Sequence, residues 1–276
     1  MRSTLQELNH LVEKLAALAR EAGDALPKDP PPMAVDDKAG KANFVTEYDR
    51  RTQLFLEERC RALVPDAVFV GEESFETGGE LPQVSKLAKS FVIDPIDGTT
   101  NFIRGQRHSA VSIGYLEDGE PVVGVVYNPW QRECFTAVKG GGAYLNGSPI
   151  RVSAGQPSAS ALVLFGTSPY YADLRRQSLV VLDRLLPSIG DFRRAGSAAL
   201  DFAYVAAGRA DGFLELRLSP WDYAAGSLLI TEAGGSITGT DGRPLSFDAP
   251  GGVLAAADAN IRSVLWKALH PEEEKK

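Results

Sequence analysis

Apolar residues recur at helical spacing near the start of the chain. Between residues 5 and 19, leucine, valine and alanine side chains fall three or four positions apart, with charged side chains between them. This period predicts an amphipathic helix packed on the core. We expect it to end near Gly23, because Pro27 and the prolines at 30–32 prevent its continuation.

A second helix is predicted from Glu47 to about Leu63, and Thr46 is suited to cap its first turn. The short apolar run at 67–70 follows it. This run is typical of a strand that delivers the next residues, 71–74, to its C-terminal end.

From Ser90 onward, short apolar runs are separated by turn residues. The run at 91–93 is predicted to stop at Asp94. The runs at 110–116, 122–127 and 134–138 are typical of antiparallel strands joined by tight turns.

A different order of elements is predicted after residue 155. The expected elements are a strand at 161–165, helices at 171–186 and 198–207, a strand at 212–216 and a helix beginning near Asp222. We therefore predict a mixed α+β (α/β) architecture in layers. Its two lobes are an N-terminal lobe of residues 1–153 and a C-terminal lobe of residues 154–276.

Composition narrows the class of protein. The 276 residues carry 36 acidic and 29 basic side chains, a formal charge of −7. An acidic balance argues against a nucleic-acid or anionic-membrane surface, but not against a small phosphorylated substrate, since bound divalent cations invert the local charge. Two cysteines, no leader-like start and no long apolar run predict a cytoplasmic protein with free thiols.

Acidic residues gather in three segments where a strand ends or a helix begins. These are Gly-Glu-Glu-Ser at 71–74, Asp-Pro-Ile-Asp-Gly-Thr-Thr-Asn-Phe at 94–102 and Trp-Asp-Tyr-Ala-Ala-Gly at 221–226. Converging carboxylates repel one another unless a cation lies between them. Without histidine or cysteine beside them, such groups favour Mg²⁺ or Mn²⁺ over Zn²⁺.

Several residues of the middle segment are predicted to contribute groups to one site. Asp94 follows a buried strand, Ile96 offers its carbonyl, and Asp97 returns to the same place three residues later. Gly98 and Thr99 are predicted to open a helix whose free N–H groups favour a phosphate. The hydroxyl of Thr99 is suited to orient a water molecule.

Simpler explanations exist for each feature taken alone. Asp94 and Asp97 are also suited to cap a helix and form a turn, and Asp222 to act as an N-cap. The Lys-Gly-Gly-Gly run at 139–142 suggests either a phosphate-binding loop or, as we favour, a hairpin turn. His108 is expected to be a packed residue rather than a base.

The three segments resemble the motifs of the inositol monophosphatase family, within the magnesium-dependent, lithium-sensitive phosphatases. Their order and spacing also match, and the resemblance runs from about residue 44 to 251. It implies a layered α-β-α-β-α sugar-phosphatase sandwich. It also implies a homodimer that binds two or three Mg²⁺ ions per site, with Mn²⁺ as an alternative.

The resemblance further implies roles for individual residues. The implied metal ligands are Glu72, Asp94, the carbonyl of Ile96, Asp97 and Asp222. Glu72 and Thr99 are implied to position the attacking water, with Asp49 in support of them. The residues implied to contact substrate are Asp97, Gly98, Thr99, Gly196, Ser197, Ala198, Glu215 and Asp222. The sequence departs from the family at residues 38–41 and at Asn43, which leaves a third metal open.

The expected activity is Mg²⁺-dependent hydrolysis of myo-inositol monophosphate or a similar polyol phosphate. The alternative substrates are histidinol phosphate, fructose 1,6-bisphosphate and a 3′-phosphoadenosine nucleotide. Arg193 and Arg194 are candidates for contact with a second anionic group, although we favour a surface or interface salt bridge as their role. A non-catalytic metal-binding regulator is the alternative from another class.

Overall fold

Seven α-helices lie in the part of the chain described by the structure, a computed structural model covering residues 2–28, 36–37, 44–75, 80–153, 155 and 157–271. They are α1 (Leu5–Asp24), α2 (Glu47–Leu63), α3 (Thr99–Ile103), α4 (Ala172–Leu185), α5 (Ala198–Ala206), α6 (Pro220–Glu232) and α7 (Ala259–Leu269). Thr46 caps α2 as predicted, because its side chain accepts the backbone N–H groups of Tyr48 and Asp49. Among these helices, none has the length and apolarity to cross a membrane.

The first half of the chain forms a two-stranded ribbon and a seven-stranded sheet. The ribbon pairs β1 (Asp36–Asp37) with β2 (Phe44–Val45). The large sheet contains, in spatial order, β3 (Val68–Gly71), β4 (Lys89–Asp97), β5 (Ala110–Glu117), β6 (Glu120–Asn128), β7 (Glu133–Val138), β8 (Gly142–Leu145) and β9 (Ser148–Pro149). Strands β3 and β4 are parallel and the others pair antiparallel.

The second half forms a five-stranded mixed sheet. Its strands are β10 (Leu162–Phe165), β11 (Asp191–Arg193), β12 (Gly212–Leu218), β13 (Ser236–Gly239) and β14 (Gly251–Ala256), in the spatial order β11-β10-β12-β14-β13. Strand β10 is parallel to β11 and β12, whereas β14 is antiparallel to β12 and β13.

The helices and sheets alternate in five layers. Helices α1 and α2 cover the outer face of the large sheet, and α4 and α7 cover the outer face of the small one. Helices α5 and α6 lie between the sheets, in the largest buried cluster. The predicted α-β-α-β-α sandwich is therefore confirmed, while the division into two lobes near residue 153 stays a prediction.

Small residues allow α6 to lie directly on the large sheet. A methyl group on Gly114 of β5 would lie 2.8 Å from Cβ of Ala224, and one on Gly124 of β6 would lie 2.7 Å from the carbonyl oxygen of Ala225. On its other side, Gly226 contacts Phe202 of α5. The Ala-Ala-Gly sequence at 224–226 thus seats the helix that begins just before Asp222.

Two expectations about elements were wrong. The strand predicted to stop at Asp94 continues to Asp97, because β4 shifts its register against β5 between these two residues and pairs again at Asp97. No element was predicted beyond the helix near Asp222, yet β13, β14 and α7 follow it. The apolar runs of β13 and β14 are short and adjoin several glycines, which weaken a strand signal.

Candidate active site

A cleft of about 630 Å³ opens between the two sheets, and its size is that of a small-molecule site. All predicted site residues except Asp49 line it. The predicted residues in its wall are Glu72, Asp94, Ile96, Asp97, Gly98, Thr99, Gly196, Ser197, Ala198, Glu215 and Asp222. Residues from both halves of the chain therefore meet in one cavity.

Three carboxylates form the acidic cluster, which we define as Asp94, Asp97 and Asp222. The first two lie at the end of β4 and the third in the first turn of α6, and one oxygen from each lies within 4.8 Å of the others. Asp94 and Asp97 are 2% and 7% exposed. Glu72, in the short 3₁₀ turn after β3, lines the same cleft and interacts with Asp94.

Two members of the cluster, Asp94 and Asp222, are each held by a hydrogen bond from backbone close to them in the sequence. Oδ1 of Asp94 accepts the N–H of Ile96 at 2.9 Å, and Oδ2 of Asp222 accepts the N–H of Ser219 at 2.7 Å. Asp222 is thus the third residue of a capping box and not the N-cap itself. A carboxylate has two oxygens and about four lone-pair sites, so a turn or capping role leaves it able to bind a ligand as well.

Asp97 is held by residues from the other half of the chain. Its Oδ2 accepts the hydroxyl of Ser197 and, at 2.8 Å, the N–H of Ala199 at the start of α5. Nearby, Nδ2 of Asn101 donates to the carbonyl of Ala195 at 2.9 Å. These bonds fasten the segment around Gly196 to the segment around Asp97, which brings the predicted substrate pocket to the acidic cluster.

The acidic cluster carries uncompensated negative charge. Burial raises the pKa of Asp94 and Asp222 well above the ordinary value, and the surrounding carboxylates raise it further. Burial also raises the pKa of Asp97, to about 6, against the lowering effect of its hydrogen bonds. None of the three forms an ion pair with a lysine or arginine that the structure describes. Buried oxygen donors of this kind fit a hard divalent cation such as Mg²⁺.

Thr99 connects the cleft to Asp49 behind it. Its Oγ1 lies 3.2 Å from Oδ1 of Asp49 and 3.2 Å from the carbonyl oxygen of Ile96, and it donates its one hydrogen to either acceptor. Asp49 is fixed in turn, because its Oδ2 accepts the N–H and hydroxyl of Thr46. Asp49 is 1% exposed and does not line the cleft, and its contact with Thr99 links it to the cleft wall.

Glu215 is positioned in the cleft wall by the loop that follows β10. Its Oε1 accepts the N–H of Ser168 at 2.8 Å and the hydroxyl of Ser168 at 3.3 Å. Ser168 has a left-handed backbone (φ 42°), and any side chain on Gly166 would collide with the Glu215 carboxyl. Burial raises the pKa of Glu215 to about 7.

The cleft also contains residues that sequence reasoning missed. They are Phe75, Ser168, Tyr170, Tyr171, Asp201 and Arg217. Asp201 lies one helical turn after Ser197, and Arg217 lies two strand residues after Glu215, so helix and strand periods applied to the known positions would have found both. Arg194, a sequence candidate, also lines the cleft, whereas Arg193 is exposed and pairs with Asp191 at 2.6 Å.

The remaining candidates have structural roles or fall outside the description. The 139–142 turn is a hairpin turn, and its amides at Gly140 and Gly142 bind the carboxylate of Glu232. His108 packs edge-on against Tyr204, and burial lowers its pKa. Both cysteines are buried free thiols. The departures at residues 38–41 and 43 lie outside the described residues.

Known proteins share this architecture over nearly the whole chain. The sequence model of the inositol monophosphatase family matches residues 7–272. The Nus factor SuhB of Escherichia coli (strain K12) is 40% identical over 260 residues, which cover 91% of this chain and 95% of that protein. The inositol-1-monophosphatase of Rhizobium meliloti is 41% identical over 230 residues, 83% of this chain and 84% of that protein.

A solved structure gives the same result in three dimensions. The IMPase of Thermotoga maritima superposes with a TM-score of 0.83 at 31% identity, over 96% of this chain and 99% of that one. The match of sequence and fold extends through all three acidic segments and the cleft between the sheets. The chain belongs to the inositol monophosphatase family.

Proposed function

We propose that the protein is a Mg²⁺-dependent phosphomonoesterase that hydrolyses myo-inositol monophosphate or a similar polyol phosphate. The observation that carries this proposal is the acidic cluster, with one oxygen from each of its three carboxylates within 4.8 Å of the others, beside Glu72 and Thr99 in one cleft. Family membership supports a phosphatase, and the inositol substrate is the finer part of the proposal.

Divalent cations are assigned to the acidic residues. The proposed ligands are Glu72, Asp94, the carbonyl of Ile96, Asp97 and Asp222. This set of oxygen donors suits two Mg²⁺ ions, or Mn²⁺ in their place, and a third ion stays a prediction. Cations bound there would supply the positive charge that attracts a phosphate and makes a nearby water more acidic.

The side chains around the acidic cluster are assigned to the attacking water. Oγ1 of Thr99 directs its own hydrogen towards Asp49 or the Ile96 carbonyl, so its lone pairs are free to accept a hydrogen bond from water. Glu72 accepts the other hydrogen of that water. A water held in this way attacks phosphorus in line, as the bond from phosphorus to the alcohol oxygen breaks, and the proton that the water loses ends on that alcohol oxygen. Asp49 acts by positioning Thr99.

The leaving alcohol is assigned to the wall opposite the acidic cluster. Glu215, whose carboxyl group is held by Ser168, is placed to accept a hydrogen bond from a hydroxyl group of the alcohol. Gly196 and Ala198 line the same cleft, and because neither has a bulky side chain, the alcohol can approach their backbone closely. A ring or chain with several hydroxyl groups fits such a wall. Histidinol phosphate, fructose 1,6-bisphosphate and a 3′-phosphoadenosine nucleotide remain the alternative substrates.

Phosphate release from these four substrates tests the proposal. We expect release from myo-inositol 1-phosphate with Mg²⁺, restoration by Mn²⁺, and loss when EDTA removes the metal. Phosphate release at the same rate with and without EDTA would contradict the metal assignment. No release from any substrate would instead favour the non-catalytic regulator, a second class that the Nus factor name of the Escherichia coli relative keeps open. Inhibition by Li⁺, a homodimer, a cytoplasmic location and the lack of nucleic-acid binding stay predictions.

A further inference from the structure

Arg217 of β12 is a cation in the cleft wall without a carboxylate partner among the residues that the structure describes. It lines the cleft, yet no hydrogen bond or ion pair joins it to a described side chain, and its Nε is buried without a partner. Glu215, Asp201 and Asp222 line the same cleft, but none of them lies within 4.0 Å of its guanidinium. Burying a guanidinium N–H without an acceptor is costly, so an absent acceptor is implied.

The side chain of Arg217 is held in place. Its guanidinium lies over the ring of Tyr171, 4.7 Å from the ring centre, an arrangement that restricts its motion. An arginine held in this way binds an anion with little further loss of side-chain freedom. The guanidinium presents parallel N–H donors that match the two oxygens of a phosphate or carboxylate.

A second arginine in the cleft has a different role. The positive charge of Arg194 lowers the pKa of both Asp201 and Glu215, so it compensates the chain's own carboxylates. Arg217 is not among the charges that act on these two carboxyl groups, and it forms no ion pair with a described carboxylate. Its guanidinium is therefore available to an external anion.

The location of Arg217 indicates which part of a ligand it meets. The acidic cluster lies at the buried end of the cleft, whereas Tyr171 beside Arg217 is 46% exposed. Glu215 and Arg217 both belong to β12 and both line the cleft. A ligand whose phosphate is bound at the buried acidic cluster would therefore extend towards the exposed side of the cleft, where Arg217 lies against Tyr171.

We infer that Arg217 is a specificity residue for substrates whose leaving alcohol carries a second anionic group, a phosphate or a carboxylate, at the end remote from the scissile phosphate. This inference rests on the proposed phosphatase function and narrows its substrate class. It favours a doubly anionic sugar or sugar-acid phosphate over a polyol with a single phosphate.

Three matched six-carbon substrates test the inference. Glucitol 6-phosphate carries one anion, 6-phosphogluconate replaces its remote alcohol by a carboxylate, and fructose 1,6-bisphosphate has a phosphate at each end. We expect the wild type to show at least about tenfold higher kcat/KM for one or both doubly anionic substrates. Arg217→Gln should reduce that preference about ten- to a hundredfold, mainly through KM, and Arg217→Lys should reduce it less.

Arg193→Gln is the matched control, because Arg193 is exposed and lies outside the cleft wall. It should keep the wild-type preference. The inference is overturned if the wild type hydrolyses the doubly anionic substrates and glucitol 6-phosphate with similar kcat/KM, or if Arg217→Gln keeps the wild-type ratio of these values. Neither result contradicts the proposed phosphatase function. A wild type that hydrolyses myo-inositol 1-phosphate but none of the three also overturns the inference alone. If it hydrolyses neither the three nor myo-inositol 1-phosphate, the proposed function fails, and calorimetric dissociation constants for the three compounds with Mg²⁺ then decide the role of Arg217 without turnover.

Discussion

At the scale of single residues, a local structural role and a chemical role occur in the same side chain. Asp94 closes a turn to Ile96, Asp222 completes a capping box with Ser219, and both have an oxygen among the three of the acidic cluster. The simpler explanation from the sequence was therefore correct that Asp94 forms a turn, whereas Asp222 caps α6 as the partner of Ser219 and not as the N-cap. These local bonds do not compete with metal binding, since one carboxylate serves both purposes.

The first prediction concerns the hydroxyl of Thr99. Thr99→Val keeps the shape of the side chain but removes the oxygen proposed to orient water, so kcat should fall about 10²–10⁴-fold with a smaller change in KM. Thr99→Ser keeps the hydroxyl and is the matched control, expected to retain most activity. Equal activities of the two variants in steady-state phosphate release would refute the role of this hydroxyl.

The second prediction concerns the buried carboxyl of Glu215. Its pKa in the folded protein is about 7, above the ordinary 4.5, so between these values the unfolded chain releases a proton that the folded protein keeps. The stability contributed by this group is therefore present below about pH 4.5 and is lost as pH rises through 7. The side chain of Glu215→Gln does not ionise. The free energy of unfolding of this variant, relative to the wild type, should therefore increase by roughly 2–4 kcal/mol when the pH is raised from 5 to 8.

Urea unfolding at pH 5 and pH 8 in EDTA measures this difference. Glu13→Gln replaces an exposed glutamate of α1 and should show no such trend. If the difference in free energy of unfolding between Glu215→Gln and the wild type is the same at both pH values, this carboxyl group ionises normally in the folded protein.

At the scale of elements, the position of Asp222 depends on how closely α6 approaches the large sheet. Gly114→Ala places a methyl group 2.8 Å from Cβ of Ala224, so the helix or the strand has to move. We expect a loss of about 1–3 kcal/mol in urea unfolding, together with reduced phosphatase activity. Gly251→Ala on β14 is the control, because open space surrounds that position. Normal stability and activity in Gly114→Ala would show that this contact does not position Asp222.

Elements with strong local signals were predictable from the sequence. The cap at Thr46 and the bounds of α2 follow from local hydrogen bonding, and the strands of the large sheet follow from alternation and turns. The continuation of β4 to Asp97 was not predictable, because a proline and two acidic residues break the strand pattern, and only pairing with β5 restores it. Tertiary pairing overrode the local preference there.

The site was predictable to the extent that its residues occur in motifs. The acidic cluster, Glu72, Thr99 and Glu215 all line the predicted cleft. The bonds from Ser197 to Asp97 and from Asn101 to Ala195 join segments about a hundred residues apart, and no local pattern encodes them. The strand period from Glu215 leads to Arg217, but the contact that holds its guanidinium over Tyr171 appears only in the fold.

At the scale of the whole molecule, the charge of −7 includes carboxylates that repel one another inside the fold. Divalent cations that bind only the folded protein should raise its melting temperature, by the equivalent of about 2.7 kcal/mol at a hundred times Kd. Asp94→Asn should melt at a higher temperature than the wild type in EDTA and should lose most of the Mg²⁺ effect. Asp183→Asn, on the exposed side of α4, should change neither value.

Calorimetric melting of the three proteins in EDTA and in Mg²⁺ measures both effects. If the wild type melts at the same temperature in EDTA and in Mg²⁺, metal binding by the acidic cluster is contradicted. An Asp94→Asn variant that responds to Mg²⁺ like the wild type would remove Asp94 from the ligand set.

Phosphate release by Asp94→Asn, compared with the wild type at saturating Mg²⁺, tests the central claim most directly. The variant keeps an oxygen for the N–H of Ile96, so the local turn is retained while the charge is lost. We predict that the wild type hydrolyses myo-inositol 1-phosphate and that a folded Asp94→Asn variant is slower by several orders of magnitude. Hydrolysis by that variant at a rate close to the wild type would contradict the assignment of this cluster as the catalytic metal site.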